Sequence, residues 1–219
     1  MSLVKTPHSA IICGATACGK TEFLLNLLES ERGPNVYAGI LNKMAYSPRY
    51  RWIFIFCPTL EINRTYHAHK WLFTDDRVML INPKTEGGLN LALKRYYYLN
   101  ARQEDGESLF IIDDCSALKD LKTKNQMLSE IAFSGRHAGC SMWILTQKYN
   151  SILTDFREQI KWLCLFYCKD RDSFADALRE NDVIPSKDER DRMRDLLAQH
   201  KHSKLILVTE QPTSYNFFK

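Results

Sequence analysis

The chain has 219 residues, 45% hydrophobic and 11% aromatic, which excludes a disordered polymer and leaves room for one sizeable α/β domain but not two full ones. Thirty basic residues against 26 acidic ones give a formal charge of +4, too mild to argue nucleic-acid binding from the total alone. Seven cysteines, an odd number set mostly in apolar runs without a C-x-x-C pair, read as reduced thiols of an intracellular protein and not as a disulfide frame or a zinc site.

The segment Met1 to Lys5 leads into the first apolar run without a signal peptide, and no apolar stretch reaches the roughly 20 residues that cross a bilayer. A soluble chain with no membrane insertion is expected. The first strand, residues 9 to 13, runs into Gly14-Ala15-Thr16-Ala17-Cys18-Gly19-Lys20-Thr21, and a helical pattern follows over 20 to 30. These eight residues match G-x-x-x-x-G-K-[ST], a loop whose backbone N–H groups surround phosphates while its lysine reaches the β/γ oxygens and its hydroxyl holds Mg²⁺. The positive end of the helix adds to the attraction for anions. Gly14 through Thr21 are therefore the expected nucleotide contacts, with ATP and Mg²⁺ as ligands and Thr21 at the metal.

Strands are expected next at 52 to 57 and 78 to 81, a helix at 88 to 102, and a strand at 108 to 113. That last strand is Ser108-Leu109-Phe110-Ile111-Ile112 and ends in the paired acids Asp113 and Asp114, a Walker B pattern. An acid at the carboxyl end of a buried parallel strand lies beside the phosphate loop. Asp113 is expected at Mg²⁺ with Thr21, and Asp114 is expected to polarise the attacking water. Asp114 is one methylene shorter than the glutamate more usual there. A helix at 120 to 134 leads to Gly135-Arg136-His137-Ala138-Gly139 and then to a strand at 141 to 146, which ends at Gln147. The Gln147 amide both donates and accepts, which suits sensing a γ-phosphate or positioning water. Arg136 has two readings: a finger reaching into a neighbouring subunit's nucleotide, or a solvated arginine in a capping turn. Arg157 and Arg171 are rival fingers.

A strand at 161 to 168, helices at 172 to 181 and 187 to 199 and a final strand at 203 to 209 complete the pattern. Apolar runs alternating with helical patterns predict an α/β fold, a mostly parallel sheet with helices on both faces, as a single domain over 1 to 219. The densely charged segment 171 to 200 reads as an amphipathic surface helix pair, or as a subunit or DNA contact, appended before the last strand. Three clusters interleave basic and aromatic residues: Tyr46 to Trp52, Asn63 to Trp71, and Lys94 to Tyr98, where Lys94 and Tyr98 share a helix face. Phosphate contacts without base reading would use such clusters, although Trp52 and Trp71 read equally well as core anchors.

On these motifs the sequence resembles the FtsK/HerA superfamily of P-loop ATPases, most closely the poxvirus-type virion DNA-packaging ATPases found also in other large DNA viruses and virus-like mobile elements. The resemblance runs from Ser9-Ala10-Ile11-Ile12-Cys13 and the phosphate loop through Ile55-Phe56-Cys57-Pro58-Thr59 and F-I-I-D-D to S-G-R-H-A-G-C-S and W-I-L-T-Q. It implies a RecA/FtsK-like fold, with Lys20 and Thr21 as phosphate and metal contacts, Asp113 and Asp114 as the Walker B acids, Gln147 as sensor and Arg136 as trans arginine. It further implies a homo-oligomeric ring on double-stranded DNA, held without sequence preference, that threads a genome into a preformed capsid alongside capsid or portal proteins. The place of action would be host cytoplasm or nucleus at sites of virion assembly, or the virion. Two other readings of the phosphate loop stay open: a kinase of a small acceptor, and a scaffold that binds ATP without hydrolysing it.

Overall fold

A computed structural model describes residues 7–29, 50–101, 107–115, 126–184 and 186–219. Its strands in chain order are β1 Ser9–Cys13, β2 Tyr50–Phe56, β3 Val78–Ile81, β4 Glu107–Ile112, β5 Cys140–Thr146, β6 Ile160–Phe166, β7 Lys204–Val208 and β8 Ser214–Phe218. They form one sheet in the order β3-β2-β4-β5-β1-β6-β7-β8. The pairs from β3 to β6 are all parallel, and only the β6–β7 and β7–β8 pairs are antiparallel. The expected α/β, mostly parallel architecture is therefore the one observed.

Successive side chains of a strand point to opposite faces, so a strand covered on both sides must be apolar throughout. β1 shows this division: Ala10 and Ile12 enter one core, Ile11 and Cys13 the other. The first core is closed by helix α1, Lys20–Glu29, through Phe23, Leu24, Leu25 and Leu27. The short helix α2, Arg64–Ala68, and the 3-10 turn Lys70–Phe73 add Tyr66, Trp71 and Leu72 to it. The second core lies under α3 (Leu89–Ala101), α4 (Gln126–Ser134), α5 (Thr154–Glu158), α6 (Arg171–Asn181) and α7 (Lys187–Gln199). Ring packing fixes its centre, with Phe110 against Phe54 at 4.8 Å and against Phe56 at 5.8 Å between centroids.

β8 is an addition to the expected strands. Its residues Ser214-Tyr215-Asn216-Phe217-Phe218 are half-exposed at a sheet edge and carry no apolar run. The charged pair α6–α7 consequently precedes two strands, not one. Its expected apolar stripe is present: Val183, Ile184 and Leu197 are buried, and Met193 packs against them. Trp71 is buried and Trp52 packs on the second core, so both serve as core anchors. The remainder of that first basic-aromatic cluster, 46 to 49, lies outside the described residues, as does the 120 to 125 portion of the expected helix.

Phe110→Ala should cost about 3–5 kcal/mol of stability, the range for removing a large buried side chain with partial collapse of its cavity. Urea denaturation measures it.

Candidate nucleotide site

β4, β5 and β1 are neighbours in the sheet, so their carboxyl ends open side by side. Ligands of open parallel sheets bind at such ends. After β1 the chain cannot continue straight. The Gly14 N–H donates to the Thr146 carbonyl at the end of β5 (3.1 Å), and the Ala15 N–H donates to the Tyr167 carbonyl just beyond β6 (2.9 Å). A Cβ on Gly14 would stand 2.5 Å from the Phe166 Cβ, so only glycine fits between the two strands. Gly19 has φ +100°, a left-handed conformation that costs glycine little and turns the loop into α1. Behind the loop, the buried thiols of Cys13 and Cys168 lie 3.7 Å apart.

A cavity of about 400 Å³ opens here, lined by Thr16, Ala17, Gly19, Lys20, Thr21 and Glu22 on one side and by Asp113, Asp114, Thr146 and Gln147 on the other. The structure thus brings the phosphate loop, both acids and the glutamine together. The Thr21 hydroxyl donates to Asp113 Oδ2 at 2.9 Å. The Lys20 ammonium donates to the carbonyls of Gly14 (2.8 Å) and Ala15 (2.9 Å). Asp114 is exposed, with φ +53°, and receives a hydrogen bond from the Thr59 hydroxyl (3.0 Å). The Thr21 hydroxyl, at the start of α1, and the Asp113 carboxylate, at the end of β4, are hard oxygen donors, a set that would fit Mg²⁺.

Five contributors were not singled out from the sequence for this site. Tyr66, fully buried, donates its hydroxyl to the same Asp113 Oδ2 at 2.9 Å. Asn63 caps α2 by accepting from the Thr65 N–H, and both line the cavity. His69 touches two carboxylates of α1, Glu29 at 2.8 Å and Glu22 at 3.3 Å. His202, with φ +71°, places Nδ1 2.9 Å from the Cys18 carbonyl. The 63–71 cluster, one of three weighed on sequence grounds as DNA contacts, therefore turns Tyr66, His69 and Trp71 inward. Its outer side keeps Arg64, His67 and Lys70. Burial raises the Asp113 carboxyl above the ordinary aspartate range, and the Tyr66 and Thr21 hydrogen bonds pull it back only in part.

Arg136 is not in this cavity. It sits in the 3-10 turn Gly135–Ala138, closed by Gly139 in the left-handed conformation, at the amino end of β5 beside His8, Ser9 and Lys161. The seven residues of β5 put roughly 20 Å between the two ends, beyond the reach of an arginine in its own subunit. The turn is the capping motif that formed one of its two readings. Arg157 is held at both ends: its guanidinium donates to both Glu180 oxygens at 2.6 and 2.7 Å and lies over the Tyr149 ring. That clamp removes it as a finger. Arg171 is exposed at the start of α6.

A phosphate loop, a buried acid and a terminal amide at the ends of adjacent parallel strands define a P-loop nucleotide-binding fold. The chain belongs to the poxvirus A32 protein family, whose model matches residues 1–214. No curated protein sequence matches it. Among solved structures it is similar to the DNA-packaging ATPase B204 of Sulfolobus turreted icosahedral virus, with TM-score 0.66, 14% identity and 98% of each chain covered. The genome-packaging NTPase B204 of Sulfolobus turreted icosahedral virus 2, in complex with ATP-γS, matches with TM-score 0.63 and 13% identity over 99% of this chain and 98% of that one. The pCW3 conjugation coupling protein TcpA, in a monomer form with ATP-γS, matches with TM-score 0.58 and 14% identity over 96% of this chain and 59% of that one.

Two variants test the electrostatics of Asp113. A group whose pKa is raised on folding contributes stability at low pH that is lost as pH rises through the folded value. Asp113→Asn, permanently neutral, should therefore raise the melting temperature at pH 7, and the gain should fade as pH drops toward about 4, where aspartate ordinarily protonates. Tyr66→Phe keeps the packing and deletes one donor to a charged acceptor; equilibrium denaturation should register a loss of about 1–3 kcal/mol.

Proposed function

We propose that this chain is a Mg²⁺-dependent ATP hydrolase that moves double-stranded DNA into a preformed viral or virus-like capsid. The observation that carries the reading is the meeting of the phosphate loop, Asp113, Asp114 and Gln147 in one cavity of a chain in the A32 family. Support comes from relatives of the same fold that are themselves packaging ATPases and that bind ATP analogues. The whole chain serves as one ATPase domain.

In this reading the backbone N–H groups from Gly14 to Thr21 and the Lys20 ammonium bind the phosphates, and a phosphate oxygen replaces the loop carbonyls that Lys20 now touches. Thr21 and Asp113 hold the metal, which when bound neutralises charge developing on the β- and γ-phosphate oxygens. Asp114, held by Thr59, takes a proton from the attacking water, and Gln147 orients that water or reads the γ-phosphate. Arg136 completes the site in trans. It is exposed and too far from its own subunit's nucleotide, so a neighbouring copy would have to receive it, which favours a homo-oligomeric ring. Phosphate contacts that ignore sequence suit a motor that must pass over any genome. Capsid or portal proteins would dock the ring at sites of virion assembly in host cytoplasm or nucleus. Among the described residues no helix is long and apolar enough to cross a membrane.

Steady-state ATP turnover with and without long double-stranded DNA, at two salt concentrations, tests this. A motor is stimulated by DNA, less so at high salt; tight ATP binding without turnover would make the protein a scaffold, and stimulation by a small acceptor a kinase. Mixing Arg136→Ala subunits with Asp113→Ala subunits should restore part of the turnover that each lacks alone. No recovery at any ratio would remove Arg136 from the site.

A further inference from the structure

Helices α6 and α7 enclose a second cavity of about 400 Å³. On α6 the residues facing it are Arg171, Phe174, Ala175, Leu178 and Arg179, and on α7 they are Lys187, Arg190, Asp191 and Arg194. Both sets follow the three-and-four spacing of a single helix face, so the walls are rigid elements and not loops. Five cations and one acid line it over an apolar floor in which Phe174 and Leu178 are buried, and one of the five, Arg179, is already paired with Asp176 of its own helix. Such a charge imbalance destabilises the free protein by mutual repulsion, while the apolar floor lowers the local dielectric and strengthens attraction for an anion. Arg194 Nε is buried without a hydrogen-bond partner, a donor lacking its acceptor.

We propose that this groove grips the phosphodiester backbone of the DNA. The proposal rests on the motor reading above and assigns the DNA contact of that reading to α6 and α7. Guanidinium forks match phosphate oxygens in pairs, and four of the five cations are arginines. The span from Arg171 to Arg179 is about 12 Å along the helix, enough to follow roughly three phosphates of one strand at 3.4 Å of rise each.

The groove is also fastened to the nucleotide site. The segment directly after Gln147 is bolted along the length of α6. Lys148 pairs with Asp170 at 3.0 Å, the Tyr149 N–H donates to the Ser173 hydroxyl at 2.6 Å, and the Asn150 amide donates to Asp176 at 2.6 Å. Asn181 donates to the Tyr149 hydroxyl at 3.2 Å, and the Arg157–Glu180 clamp closes the far end. The segment that follows Gln147 is thus joined to the helix that carries Arg171 and Arg179.

Arg179 and Lys187 are exposed on opposite walls, away from the apolar floor; Arg179 pairs with Asp176 on its own helix, so the reversed protein is first checked for an unchanged melting temperature. Fluorescence anisotropy of a labelled DNA duplex, read over a salt series, should show at least tenfold weaker binding for Arg179→Glu/Lys187→Glu near 0.1 M salt. The log–log salt slope should be shallower by about 2, one unit for each lost phosphate contact. Arg179→Lys/Lys187→Arg should bind like the wild type, and a control reversal at the exposed Lys84 and Lys219 should lose much less. The proposal is overturned if the groove reversal leaves affinity and slope unchanged, or if the control reversal weakens binding equally. Loss of assembly by sedimentation with an unaltered slope would assign the groove to an acidic segment of a neighbouring subunit and overturn it as well. A wild-type protein that binds no duplex at all sinks the motor reading and the groove together; wild-type binding that survives the reversal sinks the groove alone.

Discussion

A single oxygen, Asp113 Oδ2, receives the hydroxyls of both Thr21 and Tyr66. The first donor starts the helix after β1 and the second lies in the helix after β2, so this carboxylate ties three strand ends to one point. Burying a carboxylate is costly unless its charge is met, and two neutral hydroxyls meet it only partly. The raised protonation tendency of Asp113 records that shortfall. Everything around the cavity follows from holding this acid in place. β4 must be apolar up to Ile112, the phosphate loop must pass close enough to β6 to demand glycine at position 14, and the segment after β2 must fold inward over the acid.

That inward fold explains which features were legible in the sequence. The strands β1, β4, β5, β6 and β7 announce themselves as apolar runs because they are buried on both faces, and the phosphate loop is a contiguous stretch whose spacing carries its chemistry. Tyr66 is different. Its partner is 47 positions away, and the contact exists only because β2 and β4 are neighbours in the sheet, a fact of topology and not of local pattern. The same stretch looked like a basic-aromatic surface because Arg64, His67 and Lys70 do face outward, on the side opposite Tyr66. Arg136 was legible as a turn but not as to its place. The short turn between α4 and β5 sets it at the amino end of a strand whose other end meets the cavity. β8 escaped because an edge strand exposed on one side needs no continuous apolar run.

The α6–α7 pair shows a related limit. Its charge density is plain in the sequence, as is its thin apolar stripe. The sorting of those charges is not, since Glu180 accepts from Arg157 of another helix and Arg179 pairs with Asp176, while Arg171 and Arg194 face the groove. Only packing distinguishes an arginine used as an internal brace from one that waits for an outside acceptor.

The register of β1 bears on how the protein comes into being. This strand pairs with no part of the first half of the chain: Ser9 lies beside Met142 in β5 and beside Ile160 in β6. During synthesis it emerges well before β5 and β6 and must wait, with Ile11 and Ile12 unsheltered, until both have followed. Contacts of such long sequence separation close slowly and leave early intermediates prone to aggregation. A nascent chain that stops before β5 can contain every residue of the phosphate loop and still lack a site for phosphate. The acquisition of nucleotide affinity therefore marks a late step in folding.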